Sequence, residues 1–239
     1  MKDAMHGNPY HLFFYMIGQF KAFDNKETVH YYYPKTDCVL AESALENLPK
    51  RFVREYTMNE SSKYIEPTIQ SIECIDKRDE KWIFHFVRDL YKDIWSQFKR
   101  QKGKYTYISR SKAAVRRITN ETYLPALTSM GVSVYCMEDL TFIDQIRLFA
   151  ESELITGPHG AAYSFSIFCK PGTYLYEIYR ADNIKGHYPI LANECGLKYL
   201  RYSGIDHYDE QFQDMSIDIQ TYLDSLETVI LSISFSGLS

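Results

Sequence analysis

Strand-like runs alternate with helix-spaced apolar patterns through the second half of the chain, and this alternation limits the fold more than any other feature. The β-rich runs predict strands over 104–110, 132–137, 153–157, 173–179 and 197–204. The patterns between and after them predict helices over 116–131, 140–152 with Thr141 as a cap, 161–169, 188–196 and 216–231. Such an order is typical of an α/β fold with a parallel sheet covered on both faces.

The first hundred residues are less regular. They predict helices over 9–23, 38–48 and 80–101, a strand over 29–33 and a β-leaning stretch over 66–75. The last helix carries one apolar face that must pack, formed by Trp82, Phe86, Leu90, Ile94 and Phe98. A polar stretch follows it, so we expect two α/β lobes, 1–101 and 102–239.

Composition excludes several classes of protein. Of 239 residues, 45% are apolar and 24% charged, which is typical of a globular protein. The net charge of −4 and the scattered Lys and Arg argue against a nucleic-acid partner. The most apolar N-terminal run, 11–20, is too short to span a bilayer and is expected to be a core helix. Five widely spaced cysteines are expected to be reduced thiols, which favours a cytoplasmic location.

A histidine and three small residues follow the strand predicted over 153–157. Ligands of parallel sheets bind beyond the carboxyl ends of the strands, and a helix N-terminus there favours an anion such as phosphate. Gly160 would let the backbone approach that anion, and Ala161 would open the helix. His159 either donates a hydrogen bond to a phosphate oxygen or sugar, or only caps the turn.

Ser109 and Arg110 end the strand predicted over 104–110, and Arg116 and Arg117 are expected at the start of the next helix. Arginine forks match phosphate oxygens in pairs, so this edge either holds a diphosphate or is a solvated helix start. Asn120 is expected to hold the loop by local hydrogen bonds.

Glu177 ends a third predicted strand. Its carboxylate either accepts the two hydroxyls of a ribose or is an ordinary exposed acid.

These motifs resemble a known family. YISR, Arg116, the pair NE, DQIRLFAES, GPHGA and a strand of the form G-x-x-x-x-E are similar, in order and spacing, to glycosyltransferase family 61. The likeness covers about 104–180. It extends to HYPILANECGLKYLRY and, near the start, to an N-x-x-H-W segment that Asn8 and His11 match.

The resemblance implies a GT-B architecture of two Rossmann-like lobes with a compact first lobe, and inverting transfer that needs no metal or resident cofactor. It also implies a nucleotide-sugar donor, of the UDP-xylose or UDP-N-acetylglucosamine type, and a glycan acceptor. Carried over, His11 would line the acceptor side and Glu177 would face the ribose. The rest of the donor site would comprise Ser109, Arg110, Arg116, Asn120, His159, Gly160 and Ala161.

The chain departs from the family pattern in two places. Residues 162–165 read AYSF, where the family usually has glycine, a large apolar residue, threonine and asparagine. Tyr15 stands where some members have an aspartate that is a candidate base. Transfer needs a general base, and histidine is the residue type whose ordinary pKa suits that role near neutral pH. We expect the base to be His11, with Asp24, Asp37 and Glu42 as alternatives.

Two other functions compete with a cytosolic glycosyltransferase of a microbial or viral glycan pathway. A non-catalytic module that binds nucleotide sugars or glycans would keep the same fold. A doubly wound oxidoreductase would need a glycine-rich first turn, whereas the first strand of the second lobe runs into SRSKAAVRR, which argues against it.

Overall fold

A computed structural model describes residues 8–32, 35–55, 81–180 and 186–236. The β-leaning stretch expected over 66–75, and the side chain of Tyr15, lie outside that description. The chain divides into two compact units, Met1–Trp95 and Ser96–Ser239, a boundary six residues before the one expected at 101/102. No helix that the structure describes is long and apolar enough to cross a bilayer.

The first unit contains a small parallel sheet and several helices. Its elements are α1 (Pro9–His11), a π-helical turn (Leu12–Met16), a 3-10 helix (Ile17–Phe23), β1 (Val29–Tyr32), α2 (Val39–Glu46), β2 (Phe52–Glu55), α3 (Trp82–Leu90) and α4 (Lys92–Trp95). β1 and β2 pair in parallel, from Val29 with Phe52 to Tyr32 with Glu55. The helix expected over 9–23 is confirmed as one helical segment, although its hydrogen-bonding type changes twice. Strand β2 was not predicted.

The helix expected over 80–101 is wrong in length, since it breaks at Tyr91 and ends at Trp95. Tyr91 is buried, and its hydroxyl donates to the carbonyl of Ala44 at 3.0 Å. The indole N–H of Trp95 donates to the carbonyl of Arg88 at 2.9 Å, which satisfies a group that the interrupted helix leaves open. A tertiary contact of Tyr91 and a local contact of Trp95 thus accompany the break that the apolar periodicity did not predict.

The second unit is built on five strands, all parallel, and confirms the predicted α/β fold. Its elements are β3 (Tyr105–Ser109), α5 (Leu124–Ser129), β4 (Val132–Cys136), a 3-10 turn (Met137–Asp139), α6 (Phe142–Glu151), β5 (Leu154–Pro158), a 3-10 helix (Ala161–Phe168), β6 (Tyr174–Ile178), α7 (His187–Glu194), β7 (Lys198–Tyr202), β8 (Ile205–Tyr208), β9 (Met215–Ile217) and α8 (Ile219–Ser236).

The strand order is β4-β3-β5-β6-β7. The chain therefore leaves β3 toward one edge of the sheet and leaves β5 toward the other. At such a topological switch point the two connecting loops diverge beyond the carboxyl ends of the strands and open a crevice, where doubly wound proteins bind their ligands. In this sheet the crevice lies between the residues that follow Ser109 and those that follow Pro158.

The two faces of the sheet are packed by different aromatic residues. On one face, under α5 and α8, lies a tyrosine cluster of Tyr107, Tyr123, Tyr176, Tyr202 and Tyr222. Each ring is buried while its hydroxyl keeps a hydrogen-bond partner, which is how tyrosine can fill a core without an unsatisfied polar group. On the other face, under α6 and the 3-10 helix, phenylalanines pack together: Phe142, Phe149, Phe165 and Phe168.

The helix expected over 116–131 is also wrong, because only Leu124–Ser129 is helical. The preceding segment pairs with β9 instead: Met215 N–H donates to the carbonyl of Arg117, and Thr119 N–H donates to the carbonyl of Met215. The β8–β9 hairpin, which was not predicted, thus supplies the hydrogen bonds that a helix would have made. Arg116 and Arg117 accordingly lie in an extended loop and not at a helix start.

Candidate functional site

The two loops at the switch point touch each other, and two glycines make that contact possible. Gly157, at the end of β5, has φ +138°, and a Cβ there would lie 2.5 Å from the carbonyl oxygen of Ile108 on β3. A Cβ on Gly160 would lie 2.2 Å from Nη1 of Arg110. A larger residue at 157 would collide with the backbone of β3, and one at 160 would displace the Arg110 guanidinium. The two glycines therefore allow the close approach at this edge of the sheet.

Arg110 is held by the protein backbone and not by a carboxylate. Its Nε and Nη2 donate to the carbonyl oxygen of Val115, at 3.3 and 2.9 Å. Nη1, the third nitrogen of the guanidinium, is not used in this contact and lies beside Gly160. Burial, and then the positive charge of Arg116, lower the pKa of Arg110 from its ordinary value. The group stays charged, since arginine is protonated in proteins at any ordinary pH.

Arg116 is held in an unusual backbone conformation. Its φ is +60°, and Gln213, which accepts from Arg116 Nε at 2.8 Å, has φ +57°. The N–H of Arg116 also donates to the carbonyl of Phe212 at 3.0 Å. A left-handed backbone conformation costs free energy in residues other than glycine, and here two such residues adopt it. Strain of this kind persists where the surrounding structure enforces it. The hairpin therefore fixes the direction of the Arg116 side chain.

Arg110 and Arg116 form a cationic pair that lacks a carboxylate counter-ion within the described parts of the chain. The neighbouring Arg117 differs, because its Nη2 lies 2.6 Å from Oδ2 of the buried Asp214. Burial acts to raise the pKa of Asp214, but hydrogen bonds from Arg117 outweigh it and lower that pKa. Two oriented guanidinium groups without a counter-ion form a site for an anion with several oxygens.

His159 lies at the same edge, next to Gly160, and is buried at 6% exposure. Its Nδ1 lies 2.5 Å from Oε1 of Glu177, which is 1% exposed. Oε2 of Glu177 accepts a hydrogen bond from the hydroxyl of Tyr199, also at 2.5 Å. Both oxygens of Glu177 are thus engaged by protein donors, which is an arrangement suited to orienting His159. The expected contact of Glu177 with a ribose stays a prediction.

The other expected donor-site residues mainly hold the loops. The Ser109 hydroxyl donates to Oε2 of Glu121 at 2.9 Å. Asn120 accepts a local hydrogen bond at its carbonyl from the N–H of Thr122, at 2.6 Å, as expected. Its side chain also pairs with the backbone of Ile217 on a distant strand, donating at 2.8 Å and accepting at 3.1 Å. Ala161 opens the helix as expected, but that helix is a 3-10 helix whose first N–H groups have no intrahelical acceptor.

The departures from the family pattern at 162–165 are explained by packing. Tyr163 is fully buried, and its hydroxyl donates to the carbonyl of Gly157 at 3.0 Å. Phe165 is fully buried against Phe142 and Phe149. Both side chains therefore fill the core behind the crevice.

In the first unit, the candidate bases differ in how far their charges are already paired. Asp24 binds Lys21 at 2.6 Å and Arg51 at 2.8 Å, and these hydrogen bonds lower its pKa. Glu42 accepts from both terminal nitrogens of Arg54, which lowers its pKa to about 2. A carboxylate with a lowered pKa is a weak base.

The remaining two candidates are Asp37 and His11. Asp37 is exposed in the connection from β1 to α2. His11 is half-buried, and its backbone N–H donates to the side chain of the cap residue Asn8 at 3.4 Å. His11 and Asp24 lie at opposite ends of the helical segment, which is roughly 20 Å long, so the two side chains cannot serve the same hydroxyl.

A cavity of about 430 Å³ also lies in the first unit, between the end of this segment and α3. Its charged lining includes Asp24 together with Lys21 and Arg51, both of which already pair with that carboxylate. Arg51 directly precedes β2, so the cavity lies at the amino ends of β1 and β2. This is the edge opposite to that where parallel sheets bind substrates.

Sequence reasoning missed the residues that orient the site. Gln213 and Asp214 come from the β8–β9 hairpin, and Tyr199 from β7. The polar run DEQFQD between two β-leaning segments was a signal for a hairpin. Over the described ranges no group of three or more His, Cys, Asp or Glu side chains is placed to hold a metal ion.

Comparison with known proteins gives one family. The sequence model described as Glycosyltransferase 61 matches residues 29–176, well over half of the chain. The match runs from β1 to β6 and includes Arg110, Arg116 and His159, but it ends one residue before Glu177. No curated protein matches the chain. On the extent of the family match, the chain belongs to glycosyltransferase family 61.

Proposed function

We propose that this glycosyltransferase moves a sugar from a nucleotide diphosphate sugar to a glycan hydroxyl, with inversion and without a metal ion. The observation that carries the proposal is the cationic pair of Arg110 and Arg116 at the switch point, with Gly160 against Arg110. A diphosphate has several oxygens for two guanidinium forks, and the crevice is where doubly wound sheets bind nucleotides.

The chemistry follows from where charge develops. As the bond between the anomeric carbon and the diphosphate oxygen breaks, negative charge grows on the leaving diphosphate. Donors fixed before the reaction stabilise that charge most effectively. Arg110 is fixed by Val115, and Arg116 by Gln213, so neither needs to reorient. These two cations and the N–H groups at Ala161 would supply the role that a metal ion has in other transferases.

His11 is the proposed general base. It would take the proton of the acceptor hydroxyl as the hydroxyl oxygen forms its bond to the anomeric carbon, opposite to the departing diphosphate. Asp24 and Glu42 are less suitable, because hydrogen bonds from Lys21 and Arg51 lower the pKa of Asp24, and hydrogen bonds from Arg54 lower the pKa of Glu42. Asp37 remains the alternative base.

Three finer proposals accompany this one. The architecture would be GT-B, as in the family resemblance, and the two compact units are compatible with it. The donor would be a uridine diphosphate sugar, of the xylose or N-acetylglucosamine type. The location would be cytoplasmic, since widely spaced cysteines are typical of proteins in a reducing compartment.

The test is titration calorimetry with a panel of uridine and guanosine diphosphate sugars, followed by an assay for free diphosphate and transferred sugar. We expect binding and turnover of a uridine diphosphate sugar, both unchanged by a chelator. Binding without turnover would instead indicate a non-catalytic module.

The variant Arg116→Ala should lose about 2 to 4 kcal/mol of transition-state stabilisation, as when a preorganised donor is removed. The exposed Arg147→Ala is the matched control, because its partner Asp144 lies on the same surface helix. If Arg116→Ala changed only thermal stability, the residue would be structural.

A further inference from the structure

We propose that Glu177 and Tyr199 are positioning residues that keep one proton of His159 on Nδ1 and present Nε2 to the leaving diphosphate. This inference rests on the proposed donor site. It adds residues that act on the diphosphate through His159 and not by direct contact. The relay, as we name the set His159, Glu177 and Tyr199, was not expected from the sequence, which placed Glu177 against a ribose.

The first link is the contact between Nδ1 of His159 and Oε1 of Glu177 at 2.5 Å. A carboxylate can only accept hydrogen bonds, so Nδ1 must carry the proton in this contact. Both side chains are almost fully buried, at 7% and 2% side-chain exposure, so water does not compete for the link. The hydrogen bond at one ring nitrogen therefore fixes what the other nitrogen can do.

The second link places a hydrogen-bond donor on the other oxygen of Glu177. The hydroxyl of Tyr199 donates to Oε2 of Glu177 at 2.5 Å. Burial, and then the negative charge of Glu177, raise the pKa of Tyr199. The phenol thus stays protonated and can only donate to the carboxylate. Glu177 has a hydrogen-bond donor on each oxygen, as a buried carboxylate requires.

Two aromatic rings fix the plane of the imidazole. Tyr179 stacks on His159 with ring centroids 4.0 Å apart and an angle of 21°. Tyr188 lies 5.4 Å away, and its hydroxyl donates to the carbonyl of Gly160 at 2.8 Å. Tyr188 thus contacts both the His159 ring and the turn at Gly160, which lies against Arg110. The ring cannot rotate without disturbing the loop that forms the crevice.

Nε2 is the atom that this arrangement leaves for a ligand. It has no hydrogen-bond partner among the residues that the structure describes, and it belongs to the residue next to Gly160. When His159 carries its second proton, that proton is on Nε2 and can be donated to a diphosphate oxygen. Glu177 then balances the charge of the imidazolium inside the protein.

The test combines ¹⁵N NMR of the histidine side chains with calorimetry, using uridine diphosphate as the probe. His159 is assigned by the signal that disappears in His159→Gln. In the free wild-type protein we expect the proton on Nδ1, and on adding uridine diphosphate we expect a shift at Nε2. Glu177→Gln should change the protonation pattern of His159 and weaken uridine diphosphate binding about tenfold, by analogy with the lower end of the effects measured for the outer partners of metal-bound histidines.

Tyr199→Phe keeps the ring and removes one donor, so it tests the relay if Glu177→Gln does not fold. It should weaken binding by about threefold, a smaller effect than loss of the carboxylate. Tyr202→Phe is the matched control, since its hydroxyl lies on the same strand and donates to the backbone carbonyl of Asp218, outside the relay. We expect the control to bind uridine diphosphate as the wild type does.

Each failure has its own signature. A proton found on Nε2 in the free protein would overturn the relay, as would uridine diphosphate binding unchanged in both relay variants. Wild-type protein that does not bind uridine diphosphate at all would contradict the donor site itself, while the NMR of the free protein would still show whether the proton is on Nδ1.

Discussion

Two arginines of the first unit pair with carboxylates, whereas two arginines at the switch point of the second unit do not. In the first unit Arg51 pairs with Asp24, and Arg54 pairs with Glu42, each at 2.7 to 2.8 Å. In the second unit Arg110 and Arg116 are oriented by a carbonyl and an amide oxygen, with no carboxylate paired to either in the described residues. A cation held by a neutral oxygen keeps its full charge for a ligand, whereas a cation paired with a carboxylate contributes mainly to the fold.

The same difference separates the candidate bases. A carboxylate paired with arginine is stabilised in its charged form and has little tendency to take a proton. Asp24 and Glu42 are therefore less suitable than His11 as the general base. The comparison thus predicts that variants in the first-unit pairs change stability, and that variants in the cationic pair change donor binding.

The largest effect is expected at His11. Replacing it by alanine should lower turnover by about 10² to 10⁴-fold while uridine diphosphate affinity stays as in the wild type, because general-base catalysis contributes that much. The matched variant Asp24→Asn should turn over at the wild-type rate. Steady-state kinetics measures the turnover, and calorimetry measures the affinity for uridine diphosphate. Turnover in His11→Ala close to that of the wild type would shift the base to Asp37.

Arg110→Met should cost about 3 kcal/mol in kcat/KM, since it removes a preorganised cation but retains side-chain volume. Arg51→Met is the control from the first unit, and it should lower the melting temperature without changing uridine diphosphate affinity. Calorimetry and thermal melts of both variants measure the two effects. If Arg110→Met bound uridine diphosphate as tightly as the wild type does, Arg110 would have no role in donor binding. It would then not differ in function from Arg51.

Glu42→Gln should lower the free energy of unfolding by about 2 kcal/mol at pH 7, because it weakens a largely buried ion pair with Arg54. The pKa of Glu42 is lowered from 4.5 to about 2, so its contribution is fully present above pH 4.5. That contribution disappears as the pH falls from 4.5 toward 2. Denaturant unfolding at several pH values should therefore show a shallower acid dependence in the variant.

Gly160→Ala should have a smaller effect, about 1 to 2 kcal/mol in uridine diphosphate affinity, because the new Cβ displaces Nη1 of Arg110. Gly186→Ala is the matched control, since a Cβ there would meet only Ile190, at 3.8 Å. Calorimetry on the two variants measures the difference. An alanine at 160 that binds like the wild type would show that Arg110 can move without loss.

The sheet could be predicted from sequence because its strands are short apolar runs bounded by glycine, proline and polar residues. All five strands of the parallel sheet in the second unit were predicted in this way, and so was the strand edge that carries Arg110 and His159. Arg116 was found as a residue but given the wrong setting, because its conformation depends on Phe212 and Gln213, which are almost a hundred positions away. Local periodicity contains no information on such a contact.

The relay shows the same limit more clearly. Glu177 was singled out as a strand-end carboxylate, but its two hydrogen bonds come from His159 on one neighbouring connection and Tyr199 on the next strand. The pairing of carboxylates with Arg51 and Arg54 in the first unit also joins separate elements. The sequence thus shows which side chains are polar or charged. Only the tertiary fold shows which of them already have a protein partner for a hydrogen bond or ion pair.

The central claim is that Arg110, Arg116 and the turn at Gly160 bind one diphosphate. A crystal structure of the protein with uridine diphosphate tests it most directly. The account predicts diphosphate oxygens within hydrogen-bond distance of Nη1 of Arg110 and of the Arg116 guanidinium, beside the turn at Gly160. A diphosphate bound elsewhere, with both guanidinium groups directed away from it, would contradict the claim.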